Sequence, residues 1–259
     1  MPTSAAGGDA PTLVPDLREW AILLDVDGTI LELAPTPLDI LVPQSLLRTL
    51  RRLKERTAGA TALVSGRTLD DLDKVFSPLQ LAVIGGHGAE LRPSAGVPAR
   101  RRHADPLDPA LKHRLAAVAQ AGSGILVEDK GYSLALHYRL VPERENYVRA
   151  TVAAICAGLP TSTVEILEGT CVVEIKHRGF SKGTAVRELM ELAPFVGRRP
   201  IFIGDDITDQ SAFAVMPDFS GLAISVRRRS KGVDFHFETP EGVRRWLERM
   251  VSAHEGAPA

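Results

Sequence analysis

The chain has 259 residues, 44% hydrophobic and 24% charged, with a formal net charge of −1. That length suits one large domain or two moderate ones. The near-neutral balance argues against nucleic acid as the main partner, which calls for a strong basic surplus, and no apolar run reaches the length of a membrane span.

Residues 1–15 are rich in Pro, Gly, Ala and Ser, with no basic segment followed by an apolar core. They are expected to form a disordered tail and not a signal peptide. Cys156 and Cys171 lack metal-ligand spacing and read as buried thiols of a reducing compartment, so the expected setting is cytoplasmic.

Ile22-Leu23-Leu24 is an apolar run that ends in Asp25-Val26-Asp27-Gly28-Thr29. It reads as a buried strand delivering polar groups to the end of a sheet. Two carboxylates one residue apart repel, so a cation or a proton is expected between them. The prolines after Leu33 mark a loop, and Leu46, Leu47, Leu50 and Leu53 then recur at helical spacing beside a solvated basic face. Thr61 to Val64 is a second buried strand, ending in Ser65-Gly66-Arg67. Thr68 is placed as the N-cap of a helix that turns Leu69, Leu72, Val75 and Phe76 inward. Leu81 to Ile84 is a third strand, running into Gly86-His87-Gly88-Ala89-Glu90. Strands alternating with helices predict a parallel sheet covered on both faces, which collects ligands at its carboxyl ends.

From Arg92 to Pro106 the pattern breaks into an apparent linker, and a different texture follows. Asp108-Pro109 caps a helix, and Gly124–Glu128 and Tyr132–Tyr138 read as a strand pair turned at Asp129-Lys130-Gly131. Tyr132, Leu134, Leu136 and Tyr138 alternate onto one face, with Ser133, Ala135 and His137 on the other. A helix from about Pro142 and strands Thr163–Leu167 and Thr170–Lys176 complete an αββαββ unit with an antiparallel sheet. In its last strand Cys171, Val173 and Ile175 oppose Glu174 and Lys176. At Gly179 the first pattern resumes: a helix beginning beside Lys182, a strand Ile201–Ile203 ending in Gly204-Asp205-Asp206-Ile207-Thr208-Asp209, a strand from Gly221 to Val226, and a final amphipathic helix. The expected architecture is an α/β, Rossmann-like parallel-sheet core over residues 16–99 and 177–259, interrupted by a smaller α+β domain over 100–176.

Asp25, Asp27, Thr29, Ser65, Arg67, Lys182, Asp205, Asp206 and Asp209 all fall at strand ends or helix starts of that core. Carboxylates without neighbouring His or Cys are hard oxygen ligands suited to Mg2+ and not to zinc. Ser65, Lys182 and backbone amides around Gly28 are anion binders, helped by a helix start beside Lys182. Acids that hold a metal beside groups that hold an anion describe a phosphoryl-transfer site. A calcium-binding EF-hand loop fails because Ile30 and Thr36 occupy its required glycine and acid positions. A dinucleotide fingerprint is absent after the first strand. Acids that merely cap turns leave Ser65, Lys182 and the Asp205 cluster unexplained.

Asp25-Val26-Asp27-Gly28-Thr29, Val64-Ser65-Gly66-Arg67, Lys182 and Gly204-Asp205-Asp206-Ile207-Thr208-Asp209 resemble, in order, the four motifs of the haloacid dehalogenase superfamily. The insertion resembles a type C2B cap in placement. Together with Gly86-His87-Gly88-Ala89-Glu90, Val127–Arg139 and Val173–Lys176, the motifs most resemble the trehalose-6-phosphate phosphatase family of that superfamily. One departure is Gln210, where that family usually has Glu.

The resemblance implies Asp25 as nucleophile, Asp27 as general acid and base, and Lys182 completing the catalytic set. Phosphate would be held by Gly28, Thr29, Ser65, Gly66 and Lys182. Mg2+ would sit on Asp25, the Asp27 carbonyl and Asp205, with Asp206 and Asp209 behind them. Arg67, His87, Glu128, Lys130 and Glu174 would bind the disaccharide. The implied activity is Mg2+-dependent hydrolysis of trehalose 6-phosphate through an aspartyl-phosphate. Alternatives are a phosphatase of sucrose phosphate or of mannosyl- or glucosyl-phosphoglycerate, or a phosphomutase. The expected partner is a small sugar phosphate, with neither nucleic acid nor membrane, and the expected state is a monomer.

Overall fold

The computed structural model describes residues 16–33, 40–101, 106–160 and 163–253. The tail expected over 1–15 and the prolines at 35 and 37 lie outside the described residues. These residues fall into two compact units, one built from 16–33, 40–101 and 181–253, the other from 106–160 and 163–180. Among them, no helix is long and apolar enough to cross a membrane.

The first unit is an eight-stranded sheet. In chain order its strands are β1 (Trp20–Leu24), β2 (Thr61–Val64), β3 (Ala82–Gly85), β4 (Glu90–Arg92) and β5 (Arg100–Arg101), then β10 (Arg199–Gly204), β11 (Leu222–Val226) and β12 (Phe235–Phe237). Their spatial order is β12-β11-β10-β1-β2-β3-β4-β5. All neighbours are parallel from β12 to β3, and β4 and β5 add antiparallel. The segment expected as a linker therefore contributes β5, pairing Leu91 with Arg100 and Glu90 with Arg101. Two- and three-residue strands set between prolines carry no readable period, and β12 escaped notice for the same reason.

Every residue of β1 is buried, because helices cover both faces. Trp20, Ile22 and Leu24 face one apolar layer with α1 (Gln44–Arg56), α2 (Leu69–Val75) and α7 (Pro240–Ser252). Ala21 and Leu23 face the other, with α5 (Lys182–Met190) and α6 (Gln210–Phe213). Truncating a large side chain in either layer is worth about 2–5 kcal/mol.

The second unit follows the expected αββαββ order: α3 (Pro109–Ala116), β6 (Leu126–Asp129), β7 (Ser133–His137), α4 (Glu145–Cys156), β8 (Val164–Gly169) and β9 (Val172–His177). Its antiparallel sheet runs β6-β7-β9-β8. Leu134, Leu136, Tyr138, Val173 and Ile175 pack one face against α3 and α4. Two positions differ from the simple alternation. Cys171 lies in the β8–β9 turn at φ 59°, although it still packs on that cluster. Tyr132 lies before β7, edge-on to Phe180 at 5.8 Å between ring centroids.

Candidate active site

Hydrogen bonding across the sheet places the ends of β10, β1, β2 and β3 side by side. Asp25 follows β1, Ser65 follows β2, Gly86-His87 follows β3 and Asp205 follows β10. This is the carboxyl edge where such sheets hold ligands.

The loops after β2 and β3 are joined by backbone bonds. Ser65 N–H donates to Ile84 O at 2.8 Å, Gly86 N–H to Arg67 O at 2.8 Å, and His87 N–H to Ser65 O at 3.0 Å. A Cβ on Gly66 would strike the His87 imidazole, so only glycine lets that ring lie there. His87 itself is held at φ 55°, an uncommon backbone conformation for a residue with a side chain. Thr68 caps α2 as expected, its Oγ1 accepting from Asp71 N–H at 3.2 Å. Buried Glu90 on β4 accepts the Leu69 N–H at 2.6 Å and so fixes the start of the same helix.

Five side chains meet in the interior of this edge. Lys182 Nζ, at the first turn of α5 behind the Ser181 capping box, donates to Asp25 Oδ1 and Asp209 Oδ1, each at 2.7 Å. Thr29 Oγ1 donates to Asp25 Oδ2 at 2.9 Å and approaches Asp205 Oδ1 at 3.4 Å. Asp25, Asp205 and Asp209 each offer an oxygen within 4.8 Å of the others. Gly28, at φ 81°, lies so close to Asp205 that a Cβ would overlap its carboxylate.

Three acids around one ammonium strain the local electrostatics. Burial pushes the Asp25 carboxyl well above its ordinary value; Lys182 opposes this, while Asp209 and Asp205 reinforce it. Burial, with the charges of Asp209 and Asp206, moves Asp205 up to about 7. Burial works against the Lys182 charge, but Asp209 and Asp25 outweigh it and raise its pKa. The donor set is all oxygen, buried and over-negative, so it fits a hard divalent cation.

Asp27 points elsewhere. Arg67 grips it with two bonds, Nε to Oδ2 at 2.7 Å and Nη2 to Oδ1 at 2.9 Å. The acid pair at 25 and 27 is thus separated by its two partners: Lys182 takes one and Arg67 the other. Ser65 Oγ accepts from Arg67 N–H at 3.2 Å, which leaves the hydroxyl proton as what it can offer an anion. The Gly28 and Thr29 amides, expected to face an anion, donate inside their loop to Leu31 O and Val26 O. Asp206 caps the turn at 207–209, accepting from Ile207 N–H at 2.7 Å, and Asp209 Oδ2 accepts from Asp206 N–H at 3.0 Å. Gln210 opens α6.

The other three candidates meet on the second unit's sheet, on the face opposite its apolar cluster. Lys130 Nζ donates to Glu174 Oε2 at 3.0 Å and lies 3.9 Å from Glu128 Oε2. Burial alone would raise the Glu128 carboxyl, but the hydrogen bond with His137 and the Lys130 charge bring it below its ordinary value.

Sequence reasoning gave no role to Arg227, whose Nη1 lies 3.9 Å from Asp205 Oδ2. The run Arg227-Arg228-Arg229 looks like any solvated basic stretch. Ser133 and His137, which touch Glu174 and Glu128, were likewise given none. The two-residue alternation of their strand was the signal available for them.

A parallel sheet that gathers aspartates and a helix-start lysine at its carboxyl edge, in a chain that also carries a separate antiparallel unit, is the architecture of the haloacid dehalogenase superfamily. Residues 23–237 match the family model described as trehalose-phosphatase. The chain belongs to that family and is a phosphatase. It is 35% identical to the trehalose-6-phosphate phosphatase of Escherichia coli K12, over 93% of this chain and 91% of that one. It is 41% identical to a probable trehalose-phosphate phosphatase of Sinorhizobium fredii, over 82% and 79% of the two chains. Among solved structures, the C-terminal domain of the Candida albicans trehalose-6-phosphate phosphatase superposes with a TM-score of 0.81, covering 91% of this chain and 93% of that one. At 17% identity, that likeness speaks to the fold alone.

Proposed function

We propose that the protein hydrolyses trehalose 6-phosphate to trehalose and inorganic phosphate through an aspartyl-phosphate, with Mg2+ as cofactor. The observation that carries this reading is the division of labour at the β1 end. Asp25 is buried and fixed from both oxygens by Lys182 and Thr29, while Asp27 is paired separately with Arg67.

Asp25 attacks phosphorus in line, forming the P–O bond to its own carboxylate as the bond to the sugar oxygen breaks. Asp27, which must leave the Arg67 pair and take up a proton for this step, gives that proton to the departing oxygen. It then takes a proton from the water that attacks the aspartyl-phosphate, which releases phosphate and restores the Asp25 carboxylate. Ser65 and Lys182 hold phosphoryl oxygens. Asp25, the Asp27 carbonyl and Asp205 would hold Mg2+, with Asp209 and Asp206 orienting them. Bound there, the cation supplies charge to offset what develops on the phosphoryl oxygens.

The second unit, residues 106–160 and 163–180, acts as the cap, and Glu128, Lys130 and Glu174 bind sugar hydroxyls through charge-assisted hydrogen bonds. Arg67 and His87 are read as substrate-binding groups of the first unit. The free thiols Cys156 and Cys171 accord with a cytoplasmic setting. A phosphate-release panel over trehalose 6-phosphate, sucrose 6-phosphate, glucosyl-3-phosphoglycerate and p-nitrophenyl phosphate, with and without Mg2+, tests the reading. Preference for trehalose 6-phosphate, lost on chelation, is expected; preference for another ester would overturn the substrate, and activity without divalent cation would overturn the cofactor.

A further inference from the structure

The central strand of the second unit's sheet carries a pattern that the substrate reading leaves unused. Ala135 of β7 pairs across the sheet with Glu128 on one side and with Glu174 on the other. The two carboxylates thus flank one small, fully buried residue. Two residues away in each direction, on the same face, stand Ser133 and His137. Ser133 Oγ donates to Glu174 Oε1 at 2.7 Å, and His137 Nε2 lies 2.9 Å from Glu128 Oε2. Lys130 reaches both acids from the β6–β7 turn. Lys176, also on this face, is bound to Glu165 and to the Phe180 carbonyl.

A glutamate has three side-chain torsions, and Lys130 alone, a flexible point charge, does not fix the plane of either carboxylate. Each acid has instead a second partner of its own, from the same strand and at the same two-residue offset from Ala135. We infer that Ser133 and His137 are positioning residues that preorganise Glu174 and Glu128 for sugar hydroxyls, and so set the preference for a sugar ester over a bare phosphate ester. This rests on the reading of Glu128, Lys130 and Glu174 as sugar-binding groups. The hydroxyl serves the more deeply buried acid and the imidazole the more exposed one. Each holds one oxygen of its carboxylate, so the acid meets a sugar hydroxyl already oriented, and its charge strengthens that bond.

The test compares the wild type with Ser133→Ala, His137→Phe and His137→Gln, the last keeping an N–H donor at the Nε2 position. For each, kcat and KM are measured with the sugar phosphate that the wild type hydrolyses best and with p-nitrophenyl phosphate, and thermal melts follow the fold. Ser133→Ala and His137→Phe are expected to lower the ratio of the two kcat/KM values about tenfold or more, mainly through KM for the sugar ester. His137→Gln is expected to restore that ratio to within about threefold of wild type. An unchanged ratio overturns the inference, whether both substrates fall together as in a folding defect or neither moves. Because the comparison uses whichever sugar phosphate is best, a wrong assignment of trehalose 6-phosphate shows in the substrate panel and leaves this test standing.

Discussion

The two clusters of charge in this molecule are built on opposite terms. At the edge of the parallel sheet, Asp25, Asp205 and Asp209 crowd around the single ammonium of Lys182, and burial with mutual repulsion raises Asp25 and Asp205. On the antiparallel sheet, Glu128 and Glu174 share Lys130 and each has a second hydrogen-bond partner, His137 and Ser133 respectively, and Glu128 is lowered. One cluster is short of positive charge, and the other is close to internally satisfied. Under the proposed function, that difference matches two kinds of ligand: a cation with a phosphoryl group for the first, and uncharged hydroxyls for the second.

The largest expected effect tests whether the first cluster is catalytic. Asp25→Asn keeps the shape of the side chain but removes the nucleophile, so phosphate release should fall by about 1,000-fold or more while circular dichroism is unchanged. Retained turnover would break the assignment.

Next comes the pH dependence of the metal-free protein, where the two clusters should pull in opposite directions. Asp205 has a folded pKa near 7, above its unfolded value, so its contribution to stability is complete below about pH 4 and lost as pH rises toward and through 7. The loss amounts to at most about 4 kcal/mol. Glu128 is lowered in the folded state, so its contribution is present above its unfolded pKa and lost as pH falls through the folded one. Melting temperatures measured from pH 4 to 8 with chelator, then with excess Mg2+, should show a neutral-pH deficit that the cation removes. A deficit insensitive to Mg2+ would mean that the acids are not its ligands.

The smallest effect is a difference in sign. Without metal at pH 8, Asp205→Asn should stabilise by about 1 kcal/mol because it removes a buried like charge. Glu174→Gln should destabilise by about 1–3 kcal/mol because it takes from buried Lys130 the nearer of its two charged partners. Chemical denaturation measures both, and the same sign for both would erase the contrast.

Much of this was readable in the sequence because the signals were local. Apolar runs ending in Asp25, Ser65 and Asp205 marked strand ends, Thr68 and Asp108 marked helix starts, and alternation separated Glu174 from Val173 and Ile175. What escaped depends on contacts between distant residues. Nothing near Asp27 announces Arg67, 40 positions later, as its partner. Nothing in Gly28-Thr29 shows that their amides turn inward while the Thr29 hydroxyl serves Asp25. The short strands β4 and β5 exist only through the neighbours they pair with.

The backbone seam between the loops after β2 and β3 bears on how the protein can change. Ser65, Arg67, Ile84, Gly86 and His87 are stitched main chain to main chain, so an inserted or deleted residue in either loop would unlatch the other and misplace Arg67 together with Asp27. These two loops are therefore locked in length. A library aimed at new sugar esters belongs instead in the β6–β7 turn, where a side chain at Gly131 would meet open space, with the positive φ there as its one restriction.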